Sequence, residues 1–136
     1  MKITEFFKRN YPNTGIGLLR IGFGVMLAIV HGWPTVKGFF AGVTEYPDPL
    51  GLGSRITMGL MGFAEFFCAM LVALGLFTRI TLIPLIIGFL VAVFVFHGND
   101  PFDVKERAFH YLIVFVVLFI TGPGSYVITN LFKRKF

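Results

Sequence analysis

The sequence predicts an all-α fold: a bundle of four transmembrane helices, with both termini on the cytoplasmic side. Three observations carry that expectation. Of the 136 residues, 56% are hydrophobic and 14% are charged, against roughly 45–50% and about 25% in soluble domains. The apolar residues collect into long runs separated by turn chemistry. Lysine and arginine then gather on one side of those runs. With a mean hydropathy of +0.81, the chain has too little polar surface to cover a soluble ball. A disordered chain and a nucleic-acid domain are excluded, and an ordinary soluble enzyme is argued against. Cys68, the single cysteine, excludes a disulfide framework and a cysteine-ligated cluster. No metal site is expected, and residues 1–136 read as one membrane domain.

Each span follows from the length rule of about 20 apolar residues at about 1.5 Å each. The first is expected from Ile16 to Trp33, the second from Ile56 to Phe77 and the third from Ile80 to His97. The fourth is expected over residues 106–121, short enough to need Glu106 and Arg107 near the headgroups. Helices are the default because backbone groups in lipid must be satisfied within the segment. Pro84 falls in the first turns of the third helix, where its missing N–H costs least. Gly75, Thr78 and Arg79 make a short turn, so helices two and three should be antiparallel neighbours. Gly122-Pro123-Gly124 stops the fourth. Residues 35–55 form the one long connection, and its Gly and Pro residues argue against a regular helix there. Residues 1–10 space Ile3, Phe6 and Phe7 as a helix lying on the membrane would.

Orientation follows from the cations. Lys2, Lys8, Arg9, Arg79, Lys133, Arg134 and Lys135 fall on one side, and Lys37, Arg55, Lys105 and Arg107 on the other. That bias places both termini inside, in a plasma (inner) membrane.

Ionisable groups within spans are costly and tend to mark function. Arg20, Gly24, Leu27 and His31 share one face of the first helix. Glu65 should lie about 18 Å from the inner end of its helix, Arg20 about 7 Å and His31 about 24 Å. Arg20 could therefore reach Glu65 from below and His31 from above. His97 ends the third span. Glu106 and His110 share one face of the fourth, and Arg107 and Tyr111 the neighbouring face. A four-helix bundle would gather most of these groups around one polar site. Glu65 and Arg20 are the candidate catalytic residues, while His31, His97, Glu106 and Tyr111 are candidates for holding a cofactor. A quinone head fits histidine donors. Two histidines at similar depth are also compatible with haem b.

This pattern resembles the DoxX family. The resemblance rests on Arg20, on His31-Gly32-Trp33-Pro34 with Lys37, and on Glu65 followed by Gly75-Leu76-Phe77-Thr78-Arg79. It continues through His97, Glu106, Tyr111 and Gly122-Pro123-Gly124. It implies a four-helix membrane protein similar to the membrane subunits of thiosulfate:quinone oxidoreductase, in a redox or oxidative-stress complex. The site residues it implies are Arg20, His31, Glu65, His97 and Glu106. The chain itself shows no flavin, nicotinamide or iron–sulfur motif, so electron transfer would need redox-complex subunits beside it in the bilayer. A small proton-coupled transporter acting as a homo-oligomer is the alternative from another class, and a structural or assembly subunit without ligand is the third.

Overall fold

The structure, a computed structural model, describes residues 2–133. Arg134 and Lys135 of the basic tail lie outside the described residues. Among the described residues there is no strand. Six helices form: α1 (Ile3–Lys8), α2 (Pro12–Phe40), α3 (Ser54–Leu74), α4 (Thr78–Phe96), α5 (Phe102–Thr121) and α6 (Ile128–Lys133). Helices α2, α3 and α4 are long and apolar enough to cross a membrane. Helix α5 has 20 residues, but its first turns carry Asp103, Lys105, Glu106 and Arg107.

The bounds differ from expectation at two places. Helix α2 begins at Pro12 and continues through Pro34 to Phe40. A proline is tolerated there because it sits at the start of the segment that follows a wider turn. The irregular connection therefore shrinks to residues 41–53. Helix α5 starts four residues early, at Phe102, with Pro101 before it. Pro84 lies inside α4, six residues beyond Thr78.

Each long helix packs on the next, and α5 closes back on α2. Small residues set the α2–α3 distance. A Cβ on Gly24 would stand 2.8 Å from the Ala69 carbonyl, and one on Gly32 would overlap the backbone of Glu65 and Phe66. Backbones can approach this closely only where side chains are missing, the usual arrangement of membrane helix pairs. The turn from α3 to α4 needs Gly75 at φ +74°, a left-handed position that glycine occupies without strain. The core between the helices holds Leu27, Val72, Leu82, Leu85, Phe115 and Leu118. Outward-facing Leu18, Ile29, Ile80, Phe94 and Ile120 remain exposed, as lipid-facing residues would be.

Three helices widen by one residue per turn, α2 at Ala28–Gly32, α3 at Phe63–Cys68 and α4 at Ala92–Phe96. Such π-turns are rare and often mark functional positions. Here they carry His31 and Glu65, and the third ends immediately before His97.

Candidate functional site

The two buried charges of the spans have separate surroundings. Arg20 is 1% exposed. Its guanidinium donates to the backbone carbonyls of Ala73 (3.3 Å from Nε), Pro123 and Tyr126. Those carbonyls lie at the end of α3 and in the turn after α5, where helix termination leaves acceptors without partners. The expected pair with Glu65 is not formed. Ala73 and Glu65 are eight residues apart on one helix, about 12 Å of rise, and the Arg20 side chain extends towards the end where Ala73 lies. Arg79 does similar work, donating to Phe119 and Ile120 carbonyls at the end of α5.

Glu65 is 9% exposed, and its carboxylate has no hydrogen-bond or ion-pair partner among the described residues. It faces a cavity of about 290 Å³ together with His31, Phe89, His97, Arg107 and Tyr111. Each of the four long helices thus contributes: His31 from α2, Glu65 from α3, Phe89 from α4 with His97 just past its end, and Arg107 and Tyr111 from α5.

Local structure explains how each group is held. Thr35 Oγ1 donates to the His31 carbonyl at 2.9 Å, taking up an acceptor in the widened turn. Tyr111 is clamped by rings: Phe89 stacks on it at 5.3 Å, and Phe23 and His31 meet it edge-on at 5.6 and 6.1 Å. His97 Nδ1 lies 2.8 Å from Asp100 Oδ2. A carboxylate only accepts, so Nδ1 carries the proton of that bond and Nε2 is left for other partners.

Of the sequence-predicted residues, the fold brings His31, Glu65, His97 and Tyr111 together. Arg20 lies apart, as described. Glu106 is also apart: it is exposed and pairs with His110 at 3.7 Å on the outer face of α5. Two participants were not singled out. Arg107 lies one turn before Tyr111, and that i, i+4 spacing was the available signal. Tyr46, from the connection, lies near Thr35 and lines the neighbouring cleft with Glu65. Burial pushes its phenol upward, and the nearby Glu65 charge adds to the shift.

The connection is itself tied down. Asp48 accepts from Leu52 N–H (3.0 Å), Gly53 N–H (2.8 Å) and Thr57 Oγ1 (2.8 Å). Arg55 donates to the Phe39 and Val43 carbonyls and lies over the Phe39 ring. Residues 41–53 therefore form a strap across the end of the bundle where His31 and His97 lie.

These features define a small integral membrane protein of packed apolar helices, with ionisable groups gathered at one end. A model of the DoxX family matches residues 15–98. The chain is also 31% identical over 132 residues to inner membrane protein YqjF of Escherichia coli (strain K12), covering 93% of this chain and 98% of that protein. The chain belongs to the DoxX family. No solved structure matches it.

Proposed function

We propose that the chain is a quinone-linked membrane subunit of an oxidoreductase or redox-stress complex, holding the quinone head in the cavity at Glu65. The observation that supports this is the convergence of His31, Glu65, His97, Arg107 and Tyr111 on one cavity. The residues fit such a head. The imidazoles, the Tyr111 phenol and the Arg107 guanidinium are donors suited to ring oxygens, and Glu65 is an acceptor. Phe89 adds an apolar wall. A volume of about 290 Å³ lies just below the usual range of ligand cavities, roughly 300–1,000 Å³. That suits a single ring better than a porphyrin, so haem b is the weaker alternative.

A bound quinone would supply two-electron, two-proton chemistry, with electrons from a partner subunit that carries its own redox cofactor. The chain's residues do the rest. Glu65 accepts or returns a proton at its carboxylate. Asp100 fixes the His97 ring and leaves Nε2 available to the head, while His31 holds the opposite side. Phe23 and Phe89 keep the Tyr111 ring in place. Arg20 serves as the positioning group that locks α2, α3 and the turn after α5 at the other end.

In this reading α5 crosses the bilayer as the fourth span, its charged first turns at the outer surface. Both termini then face the cytoplasm of an inner (plasma) membrane, in keeping with the excess of Lys and Arg at that end. The cavity opens near the outer face. The test is native mass spectrometry of the protein extracted gently from its host membranes. A stoichiometric quinone-sized mass, diminished in Glu65→Gln, is expected. A bare homo-oligomer would overturn the reading in favour of a proton-coupled transporter or an assembly subunit.

A further inference from the structure

A second space adjoins the polar cavity. It is a cleft of about 500 Å³ between α3 and α4, with walls that include Leu60, Met61, Ile83, Ile87 and Val91. Its lining on α4 runs from Ile83 to Phe96, a length of about 20 Å. Ala64, Gly88 and Ala92 keep the seam between the helices open. At its outer end the strap covers it with Tyr46, Pro47, Pro49, Leu50 and Leu52. Glu65 lines both this cleft and the polar cavity.

We propose that the cleft holds the single apolar tail of the same ligand whose head occupies the cavity, and that the ligand arrives sideways from the bilayer between α3 and α4. The proposal rests on the quinone reading above and extends it to a long-tailed member of that class. Three features support this occupant. The apolar groove meets the hydrogen-bonding cavity at one residue, which matches a molecule with a polar ring and a chain. The strap, held by Asp48 and Arg55, covers the water-facing end, whereas Leu60, Ile83 and Ile87 lie exposed along the side. A phospholipid is the poorer occupant, because it carries two acyl chains and a bulky headgroup, whereas one groove leads to a cavity of about 290 Å³.

The test uses the purified full chain in nanodiscs and two probes: duroquinone, a head without a tail, and decylubiquinone, which bears a ten-carbon tail. Binding is read by quenching of Trp33, the single tryptophan. The variant Gly88→Leu fills the cleft. A Cβ there meets the flexible Met61 sulfur at 3.4 Å, so the backbone has no reason to move. Ile87→Phe, at an exposed wall position, is the second variant in case the first folds poorly, and it leaves Trp33 the single tryptophan.

Both variants should weaken decylubiquinone about tenfold, as overpacking worth about 1.4 kcal/mol would, and leave duroquinone unchanged. Comparing each variant with the parent cancels the tail's own partition into lipid. If duroquinone binds and neither variant weakens decylubiquinone, the tail cleft is overturned while the head site stands. If neither probe binds the parent protein, the quinone reading fails and the cleft proposal falls with it. A co-purifying phospholipid displaced by Gly88→Leu, with both quinone affinities unchanged, would assign the cleft to structural lipid and also overturn the proposal.

Discussion

Arg20 and Glu65 are both ionisable, both buried and both in membrane-spanning helices, yet their surroundings are opposite. Arg20 is held by three carbonyls, one at the end of α3 and two in the turn after α5. Glu65 has no such partner among the described residues and faces a cavity. A buried charge whose three nitrogens each hold a backbone carbonyl stabilises a fold and has little left for a ligand. A buried charge with open valences costs stability, and a fold that retains one does so for another reason. The bundle is thus divided, with one end an arginine-capped lock and the other a polar cavity beside a cleft that the strap helps to line.

The sharpest way to break this division is at Arg20. Arg20→Met leaves three carbonyls without a donor, a loss of about 3 kcal/mol or more given about 1.5–3 kcal/mol for a hydrogen bond to a charged group. Thermal unfolding in detergent should show it. Arg20→Lys should recover only part, since a point ammonium cannot reproduce the guanidinium fork. A stable Arg20→Met protein with altered quinone binding would put Arg20 back in the working site and dissolve the contrast.

Next in size is the helix contact that supports Glu65. Gly32→Val forces a side chain into the Glu65 backbone, which should cost about 1–3 kcal/mol and also impair ligand binding. Gly22 has open space around its would-be Cβ, so Gly22→Ala is the control. It should be neutral, or stabilising by roughly 0.5–1 kcal/mol through helix propensity. Circular dichroism melts separate the two. Equal effects would show that the close approach at Gly32 carries no special role.

Much of this arrangement was legible in the sequence. Runs of apolar residues fix the helices because membrane backbone has few alternatives. His31, Glu65, His97 and Tyr111 stood out because ionisable and polar groups in such runs are expensive. The partner of Arg20 was not legible. Its acceptors are backbone carbonyls, which every residue carries, and two of them lie more than 100 positions away. The π-turns were equally hidden, since a register change of one residue leaves no mark in hydropathy. The placement of Glu106 was hidden for a related reason: periodicity gives the face a residue shares with its neighbours, but not which face turns inward.

Glu65→Gln is predicted to be the mirror image of the arginine variant. Replacing a buried carboxyl that has no hydrogen-bond or ion-pair partner among the described residues should change stability by less than about 1 kcal/mol, or raise it. Proton-linked turnover of the whole complex should nevertheless fall. A melt and a pH profile of turnover, made on the same preparation, test both halves. A large loss of stability would mean that Glu65 is as structural as Arg20.

The smallest effect concerns the strap. Hydrogen bonds from Thr57 Oγ1 and from the Gly53 and Leu52 amides hold the Asp48 carboxyl below its ordinary value. A depressed carboxylate contributes order above its unfolded value and loses it as pH falls through the folded one. The strap should therefore be fully ordered at neutral pH and loosen only on acidification past the usual carboxylate range. Hydrogen exchange of residues 43–53, corrected for the intrinsic pH dependence, should rise there, while exchange around Arg20 stays flat. Asp48→Asn should produce the same loosening at neutral pH, because the amide is a weaker acceptor and its NH2 offers no lone pair to the strap. Tyr46 and Glu65 line one cleft, so that variant should also admit water there, and the gentlest change in the molecule would register at the Glu65 end and not at the locked one.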